Sequence, residues 1–94
     1  MKKDEILVIF ETHTRAQWFI EDKIIPLMPY LNKVDNNKYE SDTFIVRPLS
    51  LKNEANLRGR KANLIYLTDE CKLKEYNVIL GLVEGNHDKI RVVI

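Results

Sequence analysis

Two apolar runs, ILVIF at residues 6–10 and LIYLT at residues 64–68, limit what this chain can become. Neither follows the apolar-polar alternation of a half-exposed strand. Runs of this kind suit strands buried on both sides, as in a parallel sheet covered by helices. With 94 residues there is room for one domain and one core. At that size only about 60 to 65% of the unfolded chain's surface is buried on folding.

The segments around these runs read as covering elements. Thr14 and Gln17 have the T-x-x-Q spacing of a capping box, which predicts a helix beginning there. Its apolar stripe is Ala16, Phe19, Ile20, Ile24, Leu27 and Met28, with Pro26 and Pro29 bending or ending it. The Asn-rich piece VDNNKYESD, residues 34–42, reads as a loop, and TFIVRPL, residues 43–49, as a strand whose Pro48 marks its end or an edge. Leu73, Tyr76, Ile79, Leu80 and Val83 recur at helical spacing until Gly85 and Asn86, and residues 89–94 form a last strand. Strand, helix, strand, helix, strand predicts a single α/β domain over residues 1–94. It would have two or three layers, a small mainly parallel sheet, flanking helices and right-handed crossovers. Function in such sheets gathers at the carboxyl ends of the strands. That rule would bring Glu11 and His13, after the first strand, near Asp69 and Glu70, after LIYLT.

Composition narrows the function classes. Apolar residues make up 45% of the chain and charged ones 31%, which is ordinary for a soluble globular domain and too apolar for a disordered one. A formal net charge of +1 predicts neither a DNA-coating protein nor an acidic mimic of DNA, so any nucleic-acid site must come from local clustering. Arg47, Lys52, Arg58, Arg60 and Lys61 supply such a cluster, with Glu54 the single acid among them. They would hold phosphates through charge-assisted contacts, Gly59 letting the backbone approach closely. The absence of interleaved aromatic residues argues against a platform for stacking single strands. Cys71 stands alone, which excludes an internal disulfide, and no signal peptide or membrane-length apolar run is present. The expected setting is a reducing cytoplasm with no membrane. Trp18, beside the helix stripe, is expected in the core or as an interface anchor. Cys71 is expected as a half-buried thiol.

Leu64–Thr68 followed by Asp69 and Glu70 is similar to a Walker B element, in which one acid orients Mg²⁺ and the next activates water. The order of features around it resembles the middle of the ATPase domain of phage large terminases and their helicase relatives. Those features are a strand, TRAQWFIEDKIIPLM, TFIVRPLS, LRGRKANLIYLTDE, a helix and KIRVVI. The resemblance implies a truncated P-loop-NTPase-like fold with Asp69 and Glu70 as metal-binding and catalytic acids. The companion phosphate loop, GxxxxGK followed by Ser or Thr, is absent, so the acids lack the partner an ATPase needs. A strand followed by two acids also allows a plainer role, in which Asp69 or Glu70 caps the next helix.

ILVIFETH, YLTDEC and EGNHD also run in the order of the metal-ligand blocks of calcineurin-like phosphoesterases. That resemblance implies Glu11, His13, Asp69, Asn86 and His87 as ligands. A Toprim-like domain, similar in outline, implies Glu11 and Asp69 around Mg²⁺. The reading with most in its favour is a non-enzymatic phage-type accessory protein with no cofactor, shaped like a degenerate motor core, that binds a partner protein or DNA. It would hide an edge or a helix face as a homodimer. The competing class is a metal-dependent phosphodiesterase or nuclease using Mg²⁺ or Mn²⁺ at Glu11, His13, Asp69 and His87.

Overall fold

The protein is described here by a computed structural model covering residues 2–93, apart from the side chains of Glu54 and Asn56. Ile94, the expected end of the last strand, and the Glu54 side chain lie outside the described residues. The first apolar run becomes β1 (Asp4–Phe10), whose last five residues are all buried. It lies inside a six-stranded sheet with the order β2-β3-β4-β1-β5-β6. The other strands are β2 (Asn32–Asp35), β3 (Lys38–Glu40), β4 (Phe44–Ser50), β5 (Leu64–Thr68) and β6 (Ile90–Val93). β1 pairs in parallel with β4 and β5, and β5 with β6, whereas β2, β3 and β4 pair antiparallel. The sheet is therefore mixed, which corrects the mainly parallel expectation.

Helices cover both faces, giving three layers. Side chains of β1 alternate between two clusters. Ile6, Val8 and Phe10 pack with Ala16, Ile20 and Ile24 of the first helical segment, and Leu7 and Ile9 pack with Ile79, Leu82 and Val83 of the last. A continuous apolar run is what two covered faces demand. The covering helices are α1 (His13–Phe19), α2 (Glu54–Leu57, a single turn) and α3 (Leu73–Leu82).

Several local expectations shift. The N-cap of α1 is Thr12, whose hydroxyl accepts from the Arg15 N–H at 3.2 Å, so the box at Thr14 and Gln17 does not form. Gln17 instead donates to the Asn36 carbonyl. Beyond Phe19 the helix widens into a π turn, Ile20–Ile24, closed by a bond from the Ile25 N–H to the Ile20 carbonyl. The extra residue in that turn rotates the stripe, so Leu27 leaves the core and is 82% exposed. The Asn-rich piece is not all loop. Its Val34 and Asp35 complete β2, Asn36 and Asn37 turn, and Lys38–Glu40 returns as β3. Tyr39, the one fully buried side chain of this hairpin, donates to Glu21 at 2.6 Å and ties the hairpin to the π turn.

Pro48 lies inside β4, opposite Val8 of β1. The partners of β3 on β4 are Ile45 and Val46, so among the described residues no strand lies beside the outer side of β4 from Pro48 onward. A residue without an N–H fits at such an effective edge. α3 ends with Glu84 at φ 56° and Gly85 at φ 80°, two left-handed residues that turn the chain as Gly85 was expected to.

Candidate functional site

Chain order makes β1 the switch point of the sheet. The chain leaves β1 for β4 on one side, then crosses to β5 on the other, and ligand crevices in open α/β sheets form at the carboxyl ends of such strands. Glu11, His13, Asp69 and Glu70 all follow strands that end there. Thr68, buried at the end of β5, accepts the Glu70 N–H on its hydroxyl and the Cys71 N–H on its carbonyl. That turn holds Asp69 and Glu70 at the surface, both exposed. Neither caps α3. Its N-cap position is Lys72, whose N–H is accepted by the Glu75 carboxylate at 2.9 Å.

The acids on either side of the switch point meet through a cation. The Arg15 guanidinium lies 3.3 Å from Glu11 and 3.9 Å from Glu70, linking the carboxyl ends of β1 and β5. His13 faces the other way, toward β4. β6 runs parallel to β5 with Ile90 opposite Ile65, so His87, just before β6, sits at the amino end of the sheet. A strand of four residues, about 13 Å, separates it from Asp69. The structure thus does not bring Glu11, His13, Asp69 and His87 together. Among the described residues no group of three or more His, Cys, Asp or Glu is placed to hold a metal ion. Asn86 is the N-cap of the short 3-10 turn His87–Lys89 and accepts the Asp88 N–H.

The basic residues are arranged differently. Gly59, at φ +81°, reverses the chain between Arg58 and Arg60. Open space lies where a side chain would stand at Gly59, so the backbone there is approachable from outside. The loop sits where three depressions meet. Arg58, Arg60 and Lys61 line a shallow groove of about 520 Å³ against Asn77 and Gly81 of α3. Lys61 also lines a cleft of about 590 Å³ at the amino end of the sheet, together with Lys2, Lys3 and Lys89 and the acids Asp4, Glu5 and Glu84. Arg60 also lines a notch of about 310 Å³ beside the uncovered edge of β4, with Arg47 and His13. Among the described residues, neither the groove nor the notch has a carboxylate in its lining. Arg47 is half-buried and donates to Glu5 through Nε at 3.2 Å. Lys52 stands on the exposed turn after β4, outside these three depressions. Lys2, Lys3 and Lys89 escaped sequence reasoning because only the fold brings the start of β1 and the start of β6 to the same end as Lys61.

Trp18 is 61% exposed, which removes it from the core, since Ala16 and Ile20 take the buried positions beside it. Burial, and then the nearby Glu75 carboxylate, push the Cys71 thiol up to about 11. It stays protonated at neutral pH and is a poor nucleophile. Among the described residues no helix is long and apolar enough to cross a membrane. No protein-family model matches the chain, and no similar curated protein or solved structure was found.

Proposed function

We propose that this chain is a non-enzymatic accessory domain that binds duplex DNA by its phosphate backbone, with the Arg58–Lys61 loop as the anchor. The observation that carries this reading is the convergence of three depressions on one loop. Cations from Lys2 and Lys3, Arg47 and Lys89 line these depressions beside Arg58, Arg60 and Lys61. A near-neutral chain that concentrates cations this way offers a local electrostatic footprint which its total charge conceals. Contacts of this type fix position on the duplex and carry no sequence information. In this reading the outline shared with phage terminase cores is a scaffold of motor ancestry, and Asp69 and Glu70 do no chemistry. Exposed Trp18 would serve a protein partner on the opposite layer.

Fluorescence anisotropy with a labelled duplex of about 20 base pairs tests the proposal. Affinity is expected to fall with salt at a log-log slope of about −0.9 for each phosphate neutralised. Changing Arg58, Arg60 and Lys61 together to Ala should weaken binding and flatten that slope by about 2 to 3. Equal binding by wild type and triple variant, or no binding at low salt, overturns the assignment.

A further inference from the structure

The two edges of the sheet are finished differently. β2, at one end of the strand order, has Asn32, Lys33 and Asp35 among its four residues, and its pairing with β3 shifts register between Lys33 and Asp35. Charges and bulges of this kind keep an edge from joining another strand. β6, at the other end, pairs with β5 in unbroken register, carries Arg91 as its one charge and leaves Val92 58% exposed. The Asp69 N–H donates to the Val93 carbonyl at 3.0 Å, so Val93 turns its backbone groups toward β5. By alternation Val92 turns its N–H and C=O outward, where among the described residues no strand lies.

Apolar surface continues from this edge onto α3. Ile90 lies in the core on the α3 face, and Val92, two residues on, points the same way. α2 packs against β4 and against one flank of α3, where Lys74 and Val78 line a hollow with Leu57. Helical spacing puts Leu73, Tyr76 and Leu80 on the opposite flank, above β6. Leu73 is 77% exposed, and Tyr76 and Leu80 are half-buried.

We propose that this edge joins a second copy of the chain, β6 against β6 in antiparallel pairing about a two-fold axis, so that the two six-stranded sheets become continuous and the two α3 flanks meet. Such an axis keeps both α3 faces on one side, and each residue then stands opposite one from its own face. Centred on Arg91 or on Ile90, the pairing would set Arg91 against Arg91 or against Lys89, like charges directly opposite. Centred on Val92, it sets Val92 against Val92, each donating its outward N–H to the other's carbonyl, and Arg91 against Val93. Charge matches in the same register. The Arg91 guanidinium donates to the Asp88 carbonyl, and among the described residues neither Arg91 nor Asp69 has an ion pair. Pairing on Val92 brings Arg91 beside the partner's Val93, to which the partner's Asp69 is bonded, so the unpaired cation of each copy reaches the unpaired acid of the other. A short strand pairing alone buries less than the ~1,200 Å² of a standard interface, and the α3 flank adds to it, which sets a dissociation constant on the order of 10 µM. The inference goes beyond the DNA reading and does not rest on it, since the Arg58–Lys61 loop lies by Asn77 and Gly81, away from this flank.

Sedimentation equilibrium of the full chain without DNA, from about 2 to about 200 µM, tests the proposal and should show monomer and dimer exchanging. Val92→Pro removes an N–H that β5 does not use, so it should weaken the dimer at least about tenfold while the urea midpoint of dilute protein stays nearly unchanged. Arg91→Glu and Asp69→Lys should each weaken it about threefold, and the two together should recover most of the loss. In a Cys71→Ala background, a bifunctional thiol reagent should link Val92→Cys, whose two copies stand about 5.5 Å apart at Cα, into dimers. Leu27→Cys, at a site 82% exposed on the other layer, should stay unlinked. A chain that remains monomeric throughout, a dimer indifferent to Val92→Pro, a charge exchange without recovery, or linkage through Leu27→Cys instead of Val92→Cys overturns the inference.

Discussion

The two layers that cover the sheet are built alike and charged oppositely. Residues 11–42, which hold α1, the π turn and the hairpin, carry six acids against four bases, whereas residues 47–83, which hold α2, the basic loop and α3, carry seven bases against four acids. In the first layer the cations sit on nearby carboxylates, Lys23 on Asp22 and Lys33 on Glu21, and Trp18, Leu27, Tyr30 and Val34 expose apolar surface. In the second, Arg58, Arg60 and Lys61 crowd a loop at the meeting point of three depressions. A net charge of +1 is thus the sum of two unlike surfaces, and the sum is the less informative quantity.

The layers should be equal in what they give the core. Ile20 and Ile79 are both fully buried, one in each layer, so truncating either to Ala should cost roughly 3 kcal/mol in urea unfolding. A difference of more than about 2 kcal/mol between them would break the symmetry and mark one layer as loosely docked. In DNA binding the layers should differ most. Arg58, Arg60 and Lys61 changed to Ala should lose about a hundredfold in affinity near 0.1 M salt, and Lys23, Lys33 and Lys38 changed to Ala less than about twofold. Similar losses from the two triple variants would mean that long-range charge, rather than the loop, governs binding.

Legibility in the sequence followed burial. Residues 6–10 and 64–68 could be read as strands because two covered faces leave an unbroken apolar run, and both strands formed where expected. The hairpin could not. β2 is exposed along its whole length and β3 buries only Tyr39, so neither leaves an apolar pattern, and five polar or charged residues in the two strands surround the Asn36-Asn37 turn without a β signal. Thr12 and Thr14 were equally able to cap a helix, and the choice fell to Thr12, where the chain emerges from β1. The loop cations showed themselves through proximity in sequence. Their partners in the clefts did not, because Lys2, Lys89 and the His13 notch depend on strand order, which no local pattern encodes.

The link between hairpin and π turn gives the next contrast. Tyr39→Phe removes a hydroxyl that donates to a carboxylate and should cost about 1–2 kcal/mol. Burial, then Glu21, hold the Tyr39 hydroxyl well above the ordinary tyrosine range, and burial pushes the Cys71 thiol up to about 11. Both groups keep their protons more tightly folded than unfolded. Their contribution is complete below the unfolded values, about 8.5 for a thiol and about 10 for a phenol, and is lost as pH rises past them. The urea midpoint should therefore fall from pH 8.5 to pH 11, more gently in Tyr39→Phe and in Cys71→Ala. A midpoint that holds steady over that window would show that neither group is more strongly protonated in the folded state. Iodoacetamide at pH 8 should modify Cys71 roughly two hundredfold more slowly than cysteine in an unfolded peptide, in proportion to thiolate.

The smallest expected effect is at the seam between the layers, and it bears on the acids. Arg15 reaches Glu11 and Glu70 across the carboxyl ends of β1 and β5, with its own side chain 59% exposed. Water screens both pairs, so Arg15→Ala should shift stability by less than about 1 kcal/mol. Its value is chemical. Removing the guanidinium leaves the two carboxylates facing one another beside Asp69, the arrangement a divalent cation would favour if this end of the sheet were built for one. Calorimetry with Mn²⁺ is expected to give no saturable heat with either protein, because exposed acids without a third fixed ligand bind hard cations weakly. Saturable heat in wild type that disappears in Asp69→Ala would turn the acidic end into a metal centre and would restore the phosphodiesterase reading in place of the binding one.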